Sequence, residues 1–178
     1  MKLPSLIFAF AMFLNLHSLS AQNINEAKSL VRFEISNMKF NTVEGTFKGM
    51  TGNVDFDPSD LENAAIEVCI DATSVNTESE KRDEHLRKED FFDTNKFPTI
   101  CFNSSKFEFI DGSFYVTGIL TLRGIQKEVT LPFTRNQNGF GLVGALTINR
   151  LDFSIGAETG TFMVGNEVNL EITCYLLP

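Results

Sequence analysis

The chain has 178 residues and a formal net charge of −8, with 15 Lys and Arg against 23 Asp and Glu. That length suits one domain, and the acidic balance argues against nucleic acid and against capture of anionic headgroups by charge alone. The 3 Cys are an odd set, so at least one thiol stays unpaired even where export permits a disulfide.

Met1-Lys2 is a short basic start, and Leu3 to Leu16 is almost wholly apolar, broken by Pro4, Ser5 and Asn15. Ser18-Leu19-Ser20-Ala21 follows. This is the pattern of a secretory signal peptide over residues 1–21, cut after Ser20 or Ala21. The apolar run is shorter than the ~20 residues a spanning helix needs. Residues 22–178 are therefore expected to form one exported domain, periplasmic or secreted, without an integral membrane segment. Loss of Lys2 makes it one charge more acidic, and only Phe8, Phe10 and Phe13 of the 18 Phe leave with the leader.

Beyond Ala21 the chain reads as short strands of period two. Val31, Phe33 and Ile35 alternate with Arg32 and Glu34. Val43 to Phe47 passes through Gly45, and Gly52 to Phe56 is closed by Asp57-Pro58. Ile66, Val68 and Ile70 alternate with Glu67, Cys69 and Asp71.

From Ser74 to Phe102 the alternation breaks. Thr77 and Glu80 have capping-box spacing. Asp83 with Arg87 and Glu84 with Lys88 are opposite charges at i, i+4. Leu86, Phe91 and Phe92 are too few for a buried helix, so this is a polar helical lid with apolar anchors between two strands. Phe97-Pro98 returns the chain to an extended conformation.

After the lid, Ile100 and Phe102 share a face, and Phe107 and Phe109 share one with shifted parity, so a bulge is expected near Ser104-Ser105. Asp111-Gly112, Arg123-Gly124 and Asn138-Gly139 read as turns. They separate Phe114 to Leu122, Val129 to Phe133 and Phe140 to Ile148. Val168, Leu170, Ile172, Cys174 and Leu176 form the last strand. Roughly eight antiparallel strands, each with one apolar face, make an all-β barrel or sandwich. An eight-stranded barrel is filled by its own side chains or holds one small ligand. Gly118 and Gly144 would leave space along the wall unless neighbouring rings fill it. Cys69 and Cys101 flank the lid and could pair; Cys174 reads as a small buried hydrophobe.

No catalytic constellation stands out. His85 is the only histidine beyond the leader, and Asp83 and His85, two apart on a helix, point to different sides. Nucleophile-elbow, zincin, phosphate-loop, Cys-x-x-Cys and dinucleotide-fold motifs are absent, and three dispersed cysteines with one histidine make a poor metal set. Asp83 is expected to bond Arg82, Arg87 or lid backbone. Phe91 and Phe92 read as anchors at one barrel end, and Asn149, Arg150 and Asp152 as holding a turn.

Arg82-Asp83-x-His85-Leu86, then Asp90-Phe91-Phe92-Asp93, then Pro98-x-Ile100-x-Phe102-x-Ser104 resemble the signature of the YceI-like family. The similarity extends upstream through Val43 to Phe47, Gly52, Phe56-Asp57 and Ile70-Asp71-Ala72. Downstream it covers Val116 to Gly124 and Ile148 to Phe153. Many members carry histidines in or near the first strand; Lys28 and Asn37 stand there here. The resemblance implies an eight-stranded antiparallel lipocalin-like barrel with a short helical lid. It implies an exported, non-catalytic carrier whose ligand, rather than cofactor, is an apolar chain such as an isoprenoid quinone or prenyl lipid. Each buried methylene contributes ~0.8 kcal/mol, so a few isoprene units would reach micromolar affinity against the costs of association. The alternating apolar positions expected to line the lumen are Phe33, Phe47, Phe56, Val68, Ile70, Ile100, Phe102, Val116, Leu120, Leu131, Phe133, Phe140, Leu142, Phe153 and Leu170. Gly45, Gly49 and Gly52 are expected to loosen a nearby loop for entry. The alternative is a barrel filled by its own side chains and acting through its surface on a protein partner or in a stress response. A weaker third reading is lipid hydrolysis or isomerisation through His85. Whether the barrel dimerises is left open.

Overall fold

The computed structural model describes residues 22–38, 41–136, 140–161 and 163–177. The expected signal peptide, residues 1–21, and the Asn138-Gly139 turn lie outside these residues. Nine strands follow one another: β1 (Gln22–Asn23), β2 (Leu30–Asn37), β3 (Asn41–Asp55), β4 (Ala65–Asn76), β5 (Thr99–Ile110), β6 (Ser113–Leu122), β7 (Ile125–Arg135), β8 (Gly141–Asn149) and β9 (Val164–Tyr175). The α-helix α1 (Glu80–Leu86) sits between β4 and β5, and a 3-10 turn (Arg150–Phe153) between β8 and β9. All pairings are antiparallel. The order is β1-β3-β2-β9-β8-β7-β6-β5-β4, and β3 also pairs with β4, which closes β2 to β9 into an eight-stranded barrel. The two-residue β1 lies along the lower part of β3, where β2 no longer reaches.

Period two sets the walls. Along β6, Val116, Gly118, Leu120 and Leu122 are buried while their neighbours are not. The expected bulge in β5 falls between Ser104 and Lys106 and restores Phe107 to the core face. Asp111-Gly112 and Arg123-Gly124 both have positive φ, at 50° and 83° and at 53° and 73°, as a tight twisted hairpin turn requires.

Two sequence expectations are corrected here. The segments expected at Val43–Phe47 and from Gly52 belong to one bent strand, Asn41–Asp55, whose register shifts twice against β4, and Phe56 lies just beyond its end. Gly49 and Gly52 have φ of 72° and 129°, and a Cβ on Gly52 would lie 2.1 Å from the Glu67 carbonyl oxygen. These glycines bend a paired strand and do not free a loop. At Gly118 the ring-filled alternative is the one observed: the Phe102 ring lies where its Cβ would stand, 2.6 Å away.

The barrel has two unlike ends. At one lie the end of β2, the start of β3, α1, the Arg123-Gly124 turn and residues 154–161. At the other lie the 56–64 loop, the Asp111-Gly112 turn and the chain before β2. A cluster of Phe56, Phe107, Phe114 and Phe133 fills that second end, with Phe56 edge-on to Phe133 at 5.0 Å and to Phe114 at 5.2 Å between ring centroids. A smaller core of Phe91, Leu120, Leu122, Phe153 and Ile155 lies beneath the lid.

Candidate functional site

Between the two ends runs one apolar cavity of about 500 Å³. Its walls include Phe33, Phe47, Val68, Ile70, Ile100, Phe102, Val116, Leu120, Leu131, Phe133, Leu142 and Leu170. Three positions expected on the wall are elsewhere. Phe56 is buried behind Phe133 in the ring cluster and does not reach the cavity. Phe140 keeps the parity of Leu142 but precedes β8, beyond the end of the barrel, and is 36% exposed. Phe153 lies in a 3-10 turn, where period two does not apply, and packs at 2% exposure under the lid.

The same alternation brings further residues to the wall, among them Val31, Ile35, Met50, Val54, Leu146, Ile148, Val168 and Ile172. Cys174 also faces it, and burial pushes that thiol up to about 11. The polar side chains on the lining, Asn37, Arg82, His85, Arg150 and Thr159, all come from the lid end. His85 and Met163 line the cavity there and are exposed to solvent. Among the described residues, no aspartate or glutamate lines the cavity.

The lid is held by a knot of hydrogen bonds. The Thr77 backbone N–H and hydroxyl donate to one Asp83 carboxylate oxygen at 2.9 and 2.5 Å. Arg82 donates from Nε to the Thr77 hydroxyl and from Nη2 to the Thr77 carbonyl, both at 2.7 Å. Arg87 donates to the carbonyls of Thr73 and Val75 on β4. The capping box is therefore corrected: Ser79 is the N-cap, without a side-chain cap bond, and the Thr77 hydroxyl goes to Asp83. Asp83 is buried, at 7% exposure, so its carboxylate needs donors, and Thr77 supplies them from the end of β4. Phe91 is buried beneath, with His85 edge-on to it at 4.9 Å, and Phe92 meets Phe47 edge-on at 5.2 Å.

Opposite the lid, Arg150 organises the loop that leads into β9. Arg150 is 2% exposed, and its guanidinium donates to the carbonyls of Ile155, Gly156, Thr159, Val164 and Gly165 at 2.6–3.1 Å. The Asn149 side chain accepts from the Leu151 N–H. Arg123 donates to the carbonyls of Ser154 and Glu89, and the Gly156 N–H to the Asp90 carbonyl, so lid and loop are pinned together. At this end the cavity is lined by the end of β2, α1, Thr159, Met163 and Val164. Cys69 and Cys101, directly opposed on β4 and β5, form a disulfide at the root of the lid, and Cys174 is free and buried.

The YceI-like domain model matches residues 22–176. The chain belongs to the YceI-like family. Protein YceI of Shigella flexneri is 32% identical over 155 residues, covering 82% of this chain and 79% of the relative. The crystal structure of Burkholderia cenocepacia BcnA superimposes with a TM-score of 0.78 at 30% identity, covering 85% of this chain and 98% of that one. A polyisoprenoid-binding domain from Saccharophagus degradans, implicated in plant cell wall breakdown, has a TM-score of 0.67, with 88% and 97% coverage. At 17% identity it shows the shared fold alone. The YceI-like barrel thus places its family signature, residues 82–104, as the lid and the strand that follows it.

Proposed function

We propose that this YceI-like protein is an exported, non-catalytic carrier that takes one apolar lipid or isoprenoid chain into the barrel lumen. The observation that carries this reading is the continuous 500 Å³ cavity, walled by aliphatic and aromatic side chains and free of acidic groups among the described residues. Burial of apolar chain at ~0.8 kcal/mol per methylene supplies the affinity. The Saccharophagus domain, named for binding polyisoprenoid, supports the same ligand class here. The twelve wall positions named first above are the proposed ligand contacts. Asp83 is committed to Thr77 and points away from an acid–base role with His85, which supports carriage over catalysis. The test is organic extraction of protein purified from its native compartment, followed by mass spectrometry. A stoichiometric apolar chain is expected. Protein free of lipid, and unable to take up any when offered, would overturn the carrier reading in favour of a surface-acting scaffold.

A further inference from the structure

The barrel wall is not laddered to full length between β7 and β8. β7 pairs with β6 from Phe133 opposite Phe114 to Ile125 opposite Leu122, and β8 pairs with β9 from Gly141 opposite Tyr175 to Asn149 opposite Glu167. Between β7 and β8 themselves the pairs are Phe133–Gly144, Thr134–Val143 and Arg135–Leu142. Both strands run on toward the lid end, but among the described residues the pairing stops there. Continued in register, Pro132 would meet Ala145, and Thr130 would meet Thr147. The cause is Pro132. A Cβ on Gly144 would stand 3.1 Å from the Pro132 carbonyl oxygen, so that carbonyl is turned toward β8. In an extended strand the amide and carbonyl of one residue point to the same side, so the donor that proline lacks is missing on the β8 side. Glu128, Thr130, Ala145 and Thr147 are exposed, and their seam-facing backbone groups are left to solvent.

We propose that this seam is a lateral gate, and that an apolar chain passes between lumen and exterior sideways, between β7 and β8. This rests on the carrier reading. Side chains close the seam where the ladder stops. Val129 and Leu131 of β7 and Leu146 and Ile148 of β8 all line the cavity, and Val129 and Ile148 pack against the small core that holds Phe153 and Ile155. Aliphatic contacts part by rotamer and backbone motion without breaking hydrogen bonds, and a chain moving between them stays against apolar surface. The ends of the barrel are better secured. At the lid, Asp83 is bonded to Thr77, Arg87 to β4, and Arg123 and Gly156 tie lid to loop. At the other end, Phe56, Phe107 and Phe114 pack around Phe133, and close-packed rings resist displacement.

The test is to tie the seam shut. Thr130→Cys and Thr147→Cys, both outward-facing, are combined in a Cys174→Ala background and joined by a short bismaleimide. The control joins Ala145→Cys to Glu171→Cys, which face each other across the fully paired β8–β9 seam. Delipidated protein is loaded with cis-parinaric acid, a fluorescent polyene fatty acid, and its release into phosphatidylcholine vesicles is followed by stopped flow. Linking β7 to β8 should slow release about tenfold and leave the equilibrium affinity unchanged, because a gate alters the path and not the end states. The control link should leave the rate as it was. Pro132→Val, which restores the missing donor, should slow release in the same direction by less. In the unlinked protein, the Thr130, Ala145 and Thr147 amides should exchange with deuterium about tenfold or more faster than those of Ile119 and Thr121, which lie on β6 between two paired strands. Release equally fast with and without the β7–β8 link, equal slowing by the control link, or seam amides as protected as those of β6 overturns the gate and leaves the carrier standing. Failure of cis-parinaric acid to bind the delipidated protein overturns the carrier and the gate together.

Discussion

Arg150 brings a positive charge into the barrel wall without a carboxylate beside it; the oxygens it meets are five backbone carbonyls. Burial pulls its pKa down from the usual arginine value, yet the group remains a cation. Its work is to gather the carbonyls of Ile155, Gly156, Thr159, Val164 and Gly165, which would otherwise lack these donors. Arg150→Met is therefore expected to lower stability by about 3 kcal/mol or more, a drop of about 10 °C in Tm for a chain of this size, read by thermal unfolding. Cys174 makes a second residue-scale test. Its thiol, ordinarily near 9.0, is held at about 11 chiefly by burial. The folded state keeps that proton while the unfolded state loses it, so stability is intact below about pH 9 and falls by about 2 kcal/mol as pH rises toward 11. Urea midpoints at pH 8 and pH 10 should converge in Cys174→Ala relative to the parent. Parallel slopes in the two proteins would refute the assignment.

At the scale of the element, the lid is a seven-residue helix with little intrinsic stability. It holds its place through Asp83, which receives Thr77 at the end of β4, and through Arg87, which reaches back to the β4 carbonyls. The disulfide fixes the two strands beneath it. Cys69 and Cys101 are 32 residues apart in sequence and close a loop that contains the whole lid, which stabilises the fold by about 4 kcal/mol in the chain-entropy account. Asp83→Ala would leave the Thr77 amide without its acceptor, at a cost of about 1–3 kcal/mol. That cost falls on the lid, since the strands are paired independently of it. Faster tryptic cleavage between Lys81 and Lys88, with the strand signal in circular dichroism unchanged, is the expected outcome. A cleavage rate equal to that of the parent would show that the lid is held by other contacts.

At the scale of the whole molecule, an acidic exterior of net charge −8 encloses a cavity without acidic groups among the described residues. Leu142, 6% exposed, stands on the wall on β8, near Phe133 across the strand pair. Leu142→Trp would place an indole in the lumen. Overpacking costs about 1–3 kcal/mol, which a disulfide-braced barrel should survive. Extractable lipid should fall several-fold while circular dichroism is retained. Unchanged lipid content in the folded variant would place the ligand outside the lumen.

Much of this architecture was legible before any coordinates. The parity of Val116, Leu120 and Leu131 is a local property, because successive side chains on a strand point to opposite faces. The break at Ser74, the bulge at Ser104-Ser105 and the place of the lid are local in the same way. Parity says which side of a strand a residue faces, but not how far along the barrel it stands. Phe133 and Phe140 look alike in sequence, yet one lines the cavity and the other does not, because strand ends are fixed by pairing with distant partners. The exchange of a capping box for the Thr77–Asp83 bond, the five carbonyls around Arg150 and the ring cluster behind Phe133 are likewise long-range. Sequence by itself determined that there would be an apolar inner face under a polar lid. Only the folded barrel shows that this face lines one cavity, with Phe56, Phe107 and Phe114 packed around Phe133, because ring-to-ring contact depends on the register of every strand between them.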